Sequence, residues 1–262
     1  MTRYLRLYLH FLRFSFSKAM EFRVDFFFRV VMDMCFYGVN LGFFWVLYQH
    51  TPTVGGWDLD QTLIFISAFF LIDAIHMTVF ANNMWMLPFL INKGDLDYYL
   101  VRPVSSLFFL SFREFAANSF LNLLIASGIL AWALARYPHP LTAQAVVTFL
   151  LLVVAGVVLY WLLYLLFLIP TFWTHAGSGL RQLFFGLEKF SERPDQIFTG
   201  WLHRTLTTLL PFALIASYPT HVLFEPANPL RVVHILVVIA AMFVAVLFMW
   251  NRGLRSYASA SS

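Results

Sequence analysis

Residues 143–169 run without an Asp, Glu, Lys, Arg or His. Wound as a helix at about 1.5 Å per residue, such a stretch is about 40 Å long. The hydrocarbon core of a bilayer is roughly 30 Å thick. One buried helix of this kind would fit inside a large soluble domain, but this chain holds several comparable runs. Of its 262 residues 61% are hydrophobic and 11% are charged, against roughly 25% charged in a typical soluble domain. Too little polar surface remains to cover so much apolar area, so lipid is the solvent for most of the chain. In lipid the backbone must satisfy its own hydrogen bonds, which leaves helices or a closed barrel. Barrel strands alternate apolar and polar residues over about ten positions. The runs here are continuous and longer, so the fold class expected is an all-α polytopic membrane protein in one domain, residues 1–262.

In chain order, residues 2–25 predict an interfacial helix. Arg3, Arg6, His10, Arg13 and Ser17 share one helical face, with Leu, Phe and Tyr on the rest, the pattern of a helix lying in the headgroup layer. No apolar core with a small-residue cleavage site follows, so it does not read as a signal peptide. Lys18, Glu21, Asp25 and Arg29 come next at spacings that allow ion pairing. Six spans are expected at about 26–48, 62–88, 107–135, 143–169, 201–218 and 230–250. The fifth is the weakest. It is short and contains Pro211, which suits a half-inserted hairpin as well as a crossing.

Charge fixes the expected orientation. With six spans both termini share one side, and all but two of the Lys and Arg residues fall on it, including Arg181, Lys189, Arg193 and Arg204. Arg136 and Arg231 are left on the other side. The positive-inside rule makes the rich side cytoplasmic. It also accounts for a pI near 9.3 without nucleic acid. The single cysteine, Cys35, excludes an internal disulfide and a cysteine-based metal site. It reads as a packing residue.

Polar residues recur along three spans. Asp33, Tyr37 and Asn40 mark the first. Asp73, His76 and Asn83 mark the second. Ser111, Glu114, Asn118 and Asn122 mark the third. Carboxylates at membrane depth are costly and face protein or a water-filled path. Asp73 is mid-span, and His76, one turn on, is its expected partner. Asp33, Asp73, His76, Glu114, Asn118 and Asn122 are therefore candidates for lining a path, with interhelical hydrogen bonding as the plainer role. Trp45, Tyr48, Trp57, Trp201 and Trp250 read as interfacial belts.

Catalytic patterns are thin. His175 and Ser178 lie close together in THAGSGL, but past Pro170 at a span end rather than at depth. The histidines show no HExxH or other paired ligand spacing, and no phosphate-binding G-x-x-x-x-G-K-[ST] occurs. The chain has no nucleotide site of that kind, so any ATP-driven work needs a separate subunit.

One polar interruption stands out. Residues 92–107, NKGDLDYYLVRPVSSL, separate the second and third spans. Asp95 and Asp97 lie at the start of a short helix, where its dipole favours them. Leu96, Leu100, Tyr98 and Tyr99 form an apolar knob. Arg102 offers a fixed donor fork, and Pro103 ends the turn.

With these residues in view, the chain resembles the ABC-2 type permeases, and among them a bacterial six-span subgroup. The resemblance covers nearly the whole length. It rests on the basic amphipathic start, on GDLDYYLVRP at 94–103, on PDQIFTGWL at 194–202 and on LPFALIASYP at 210–219. It implies an elbow helix, six spans in a type V exporter-like fold, a cytoplasmic coupling helix at 92–105 and a re-entrant hairpin near span five. It implies two permeases, identical or paralogous, joined to two ATP-binding cassette ATPase subunits that carry ATP and Mg. Gly94, Asp95, Leu96, Asp97, Tyr98, Leu100, Arg102 and Pro103 would then be the ATPase-coupling residues. The implied cargo is a hydrophobic or amphipathic compound, lipid-linked material or a glycan, exported across the bacterial inner membrane, with both termini cytoplasmic and no catalytic residue or cofactor in this chain. A membrane-embedded enzyme and a non-transporting scaffold are the rival readings.

Overall fold

The computed structural model describes residues 7–11, 23–116, 119–225 and 228–257. Residues 7–11 are helical, residues 23–25 of the expected interfacial helix open the first long helix instead, and its residues 2–6 and 12–22 lie outside the described residues, as do Asn118 and the chain end beyond Tyr257. Among the described residues there is no β-strand, and the one bridge joins Val54 to Trp57.

The first long helix, α1, is Arg23–Leu47. Only a narrow stripe of it is buried: Tyr37 and Phe44, seven residues apart, face the protein while Phe28, Met32, Val39 and Val46 are exposed. A helix that leaves its apolar side chains outward in this way is solvated by lipid. Next comes α2, Leu59–His76, started by a capping box. Gln61 N–H donates to Asp58 Oδ1 at 2.8 Å, and Asp58 N–H to Gln61 Oε1 at 3.0 Å. This helix is apolar all round and is the central column, with Tyr37 of α1 packed 4.3 Å from Phe70 between ring centroids. A π-helical turn, Met77–Ala81, joins it without a stop to α3, Asn82–Lys93.

Four shorter pieces and one long helix follow: α4 Asp97–Leu100, α5 Ser106–Phe112, α6 Phe120–Arg136 and α7 Ala143–Leu168, then α8 Thr171–Thr174. The last part of the chain forms α9 Gly177–Glu188, two 3₁₀ turns at Lys189–Glu192 and Asp195–Ile197, α10 Gly200–Thr208, α11 Leu214–Phe224 and α12 Pro229–Ser256. Four helical stretches are long and apolar enough to cross a membrane by length and composition: 30–47, 59–93, 143–174 and 229–256.

Two expected spans are not single helices. The third, 107–135, is broken between Phe112 and Phe120. The fifth, 201–218, is two helices around Pro211, and Ala213 N–H reaches back to the Leu206 carbonyl at 3.1 Å. The chain direction there also differs from the charge-based reading. Gly177 packs on Pro88, Glu188 meets Tyr160 halfway along α7, and Gln196 with Ile197 touches Gly55 in the turn before α2. Residues 177–197 thus run the length of the bundle, from the Gly94 end to the Trp57 end. The pair α10–α11 then starts and finishes at the Trp57 end, where Phe224 lies against Trp57 and Tyr137. Arg193 sits over Phe43 and Phe44 near the end of α1. It therefore does not share an end with Lys93 and Arg102.

The hairpin is fixed to α7 by a close approach. Pro219 has no N–H for the carbonyl of Ile215 four residues earlier. Gly156 of α7 closes on that oxygen, and a Cβ at position 156 would stand 2.4 Å from it. Interfaces of small residues that let backbones meet are the normal packing device between helices in lipid.

Candidate functional site

The segment after α3 is built by a glycine. Gly94 holds φ +79° and its N–H turns back to the Ile91 carbonyl, which stops the helix. Leu96 then points fully inward and anchors the turn. It is not part of the surface knob expected from the sequence. Tyr98 and Val101 form the exposed part, at 64% and 81% accessibility. Arg102 lies over the rings of Tyr98 and Phe109, 4.6 and 5.0 Å from their centroids, so its fork is held by cation–π contact. Leu90, Gly94, Asp95, Asp97, Tyr98 and Tyr99 line an open cup of about 470 Å³. Tyr257 at the end of α12 abuts this turn, where partial burial, and after it the Asp97 carboxylate, pushes its phenol up.

From this segment a line of contacts leads inward. The Arg113 guanidinium donates to the Tyr99 hydroxyl and stacks on its ring. Arg113 begins the break between α5 and α6. That break is pinned by Asn83: its Nδ2 donates to the carbonyls of Ser111 at 3.0 Å and Glu114 at 2.7 Å, and its Oδ1 accepts Glu114 N–H at 3.0 Å. The π turn contributes as well. Its Thr78 carbonyl accepts Ala116 N–H at 2.8 Å. One extra residue per turn frees such a carbonyl, and π turns cluster at functional positions for that reason. Glu114 is thus tied to Asn83 through its main chain.

Asp73 sits one turn before the π turn. Its expected bond to His76 is not made. Tyr160 of α7 donates toward Asp73 Oδ1 at 3.4 Å and also to Glu188 of α9. His76 instead stacks on the Tyr160 ring, 4.0 Å between centroids, and is buried with no hydrogen bond on either nitrogen. Its ring therefore packs like an aromatic core residue. Asp33 and Tyr37 of α1 lie within electrostatic reach of Asp73, and Asn122 of α6 is buried beside Tyr37. Glu192, bonded to Lys189 at 2.6 Å, closes the group. The structure thus gathers Asp33, Asp73 and Asn122 with Tyr37, Tyr160 and Glu188. His76 flanks them, and Glu114 sits at the helix break. Tyr160 and Glu188 were not singled out as site residues from the sequence. Glu188 is one charge among several in a polar stretch, and Tyr160 is one aromatic in an unbroken apolar run.

The Trp57 end carries a second polar assembly. His221 of α11 is 2% exposed and lies between two carboxylates, Asp195 Oδ1 at 2.8 Å from Nε2 and Glu225 Oε1 at 2.6 Å from Nδ1. Arg231 of α12 holds the other Glu225 oxygen. His203 of α10 stands 3.7 Å from Asp195 Oδ2. Ser217 accepts Asp195 N–H at 3.0 Å. Trp57 packs edge-on against the His221 ring. Trp57 and Trp250 are both buried, at 3%. The belt expected from the sequence is therefore not made by these two. Trp45 and Trp201 are exposed.

The profile of the family described as ABC-2 family transporter protein matches residues 34–261. The chain belongs to that family. No curated protein and no solved structure matches it. The permease reading made from the sequence thus stands: this is a multi-pass membrane component of an ABC transporter, of a kind that transports rather than catalyses. The geometry at THAGSGL agrees with a structural role in the permease. Asn92 takes both ends of His175, its Nδ2 donating to the carbonyl at 3.1 Å and its Oδ1 facing ring Nδ1 at 3.2 Å. Among the described residues no cluster of His, Cys, Asp and Glu has the arrangement of a metal site.

Proposed function

We propose that this permease is half of the membrane body of an ATP-driven exporter in the bacterial inner membrane, with both termini cytoplasmic. Two copies, or this chain and a paralogue, join two cassette ATPases that bind ATP and Mg. The ATPase seats on Gly94, Asp95, Leu96, Asp97, Tyr98, Leu100, Arg102 and Pro103. Leu96 acts there as the anchor, and Tyr98, Val101 and the acidic cup form the contact. Six crossings are retained, with 177–197 as the fifth and α10–α11 as a re-entrant hairpin from the outer side. The cargo is hydrophobic or amphipathic, a drug-like, lipid-linked or glycan compound. It passes along a path to which Asp33, Asp73, His76, Glu114, Asn118 and Asn122 contribute.

The observation that carries this reading is the contact line from Tyr99 through Arg113 to Asn83 and the π turn, one turn from Asp73. Coupling travels through contiguous packed and hydrogen-bonded elements, and here the Arg113 and Asn83 side chains and the Ala116–Thr78 main-chain bond tie the joints. The test is ATP turnover by the reconstituted complex. Asp97→Ala and Arg102→Ala are expected to abolish permease stimulation of the ATPase while the permease stays folded. Unchanged complex formation and turnover in both variants would sink the docking assignment.

A further inference from the structure

At the Gly94 end of α12 a basic, aromatic groove of about 570 Å³ is lined by Trp173, Phe248, Met249, Arg252, Arg255 and Ser256. It is built by two contacts. Gly253 lets α12 close on Phe172, whose ring would stand 2.4 Å from any Cβ at 253. Trp250, one turn earlier, packs on Phe172 and donates to Ser106 Oγ at 3.3 Å. These contacts fix the helix face that turns outward and place Trp173 beside it. On that face Val237, Val244 and Phe248 are exposed at helical spacing, and the stripe ends at Arg252 and Arg255. The Arg252 guanidinium lies 5.3 Å from the Phe248 ring centroid. Neither arginine has a carboxylate partner among the described residues, and no acidic residue lines the groove.

We infer that this groove binds one anionic phospholipid of the leaflet at that end, with its phosphate between Arg252 and Arg255 and an acyl chain along Phe248 and Val244. Three features select that ligand. Two guanidiniums one turn apart match a phosphodiester, which they contact by charge-assisted hydrogen bonds. The stripe below them is apolar and uninterrupted, which a free phosphate would leave unused. Trp173, at 46% exposure, lies where an indole bridges headgroup and acyl regions. Basic pockets at the ends of membrane helices take anionic headgroups on the same electrostatic grounds. The inference needs α12 to span the bilayer. It does not depend on the cargo or on the docking of an ATPase.

The site is tested on the full-length chain by native mass spectrometry from detergent, titrated with phosphatidylglycerol, phosphatidylcholine or inorganic phosphate. Retention of phosphatidylglycerol is expected to fall about fivefold for Arg252→Gln or Arg255→Gln alone and about 25-fold for both together, from the strength of one cation near an anionic surface. Arg252→Lys is expected to keep most of it. Phosphatidylcholine is expected to bind weakly, with no response to either substitution. Equal retention of the two lipids by the unaltered chain would overturn the assignment without any variant. So would phosphatidylglycerol binding indifferent to the double substitution, or occupancy by inorganic phosphate as tight as by the lipid.

Discussion

The two ends of the bundle treat charge in opposite ways. At the Trp57 end Asp195, His221, Glu225 and Arg231 are linked in one chain, and Asp195 and His221 are almost wholly buried. At the Gly94 end Asp95, Tyr98 and Arg102 are presented at the surface, and aromatic rings hold the cation. The first arrangement locks three separate pieces of chain to one another. The second leaves a shaped patch for something else to seat on. The docking proposed above draws on that division: a closed network at one end and an available contact at the other.

Three substitutions press on the contrast, in falling order of effect. Asp195→Ala leaves the Nε2 of the buried His221 without its carboxylate. Breaking a buried pair costs about 3–5 kcal/mol, so the thermal midpoint in detergent is expected to fall sharply, while Asp195→Asn keeps a hydrogen bond and loses less. Gly94→Ala forces a Cβ into the left-handed region at φ +79°, a cost of about 1–2 kcal/mol. It is expected to lower the midpoint modestly and to depress ATPase stimulation more than stability. Arg136→Ala removes the exposed pair with Asp60, 3.0 Å apart. Such pairs contribute about 0–1 kcal/mol, so the midpoint is expected to stay nearly level. A large drop there would mean that position along the bundle, and not burial, decides which charges matter.

Much of this was legible in the chain. Continuous apolar runs identify the class, and the string at 94–103 marks the turn that the structure builds with a left-handed glycine and a buried leucine. The lengthwise run of residues 177–197 along the bundle was not legible, for a definite reason. Residues 177–197 carry Arg181, Glu188, Lys189, Glu192, Arg193 and Asp195, and hydropathy counts each as exposed to lipid. In the fold Glu188 meets Tyr160, Lys189 meets Glu192, Asp195 meets His221, and Arg193 lies over Phe43. Lys189 and Glu192 pair locally, but the other contacts come from residues distant in sequence, and spacing alone does not show them. The same limit hid Tyr160, whose hydroxyl matters only because α2 and α9 converge on it. It also led His76 to be paired with Asp73, since helical spacing takes no account of a tyrosine ring arriving from another helix.

The contact between Gly156 and the Ile215 carbonyl has a mechanical corollary. Sliding the hairpin along its neighbour would bring that carbonyl against residues that carry a Cβ, such as Val153 or Leu159, where the approach allowed at Gly156 has no room. The two pieces are therefore expected to travel as a single lever.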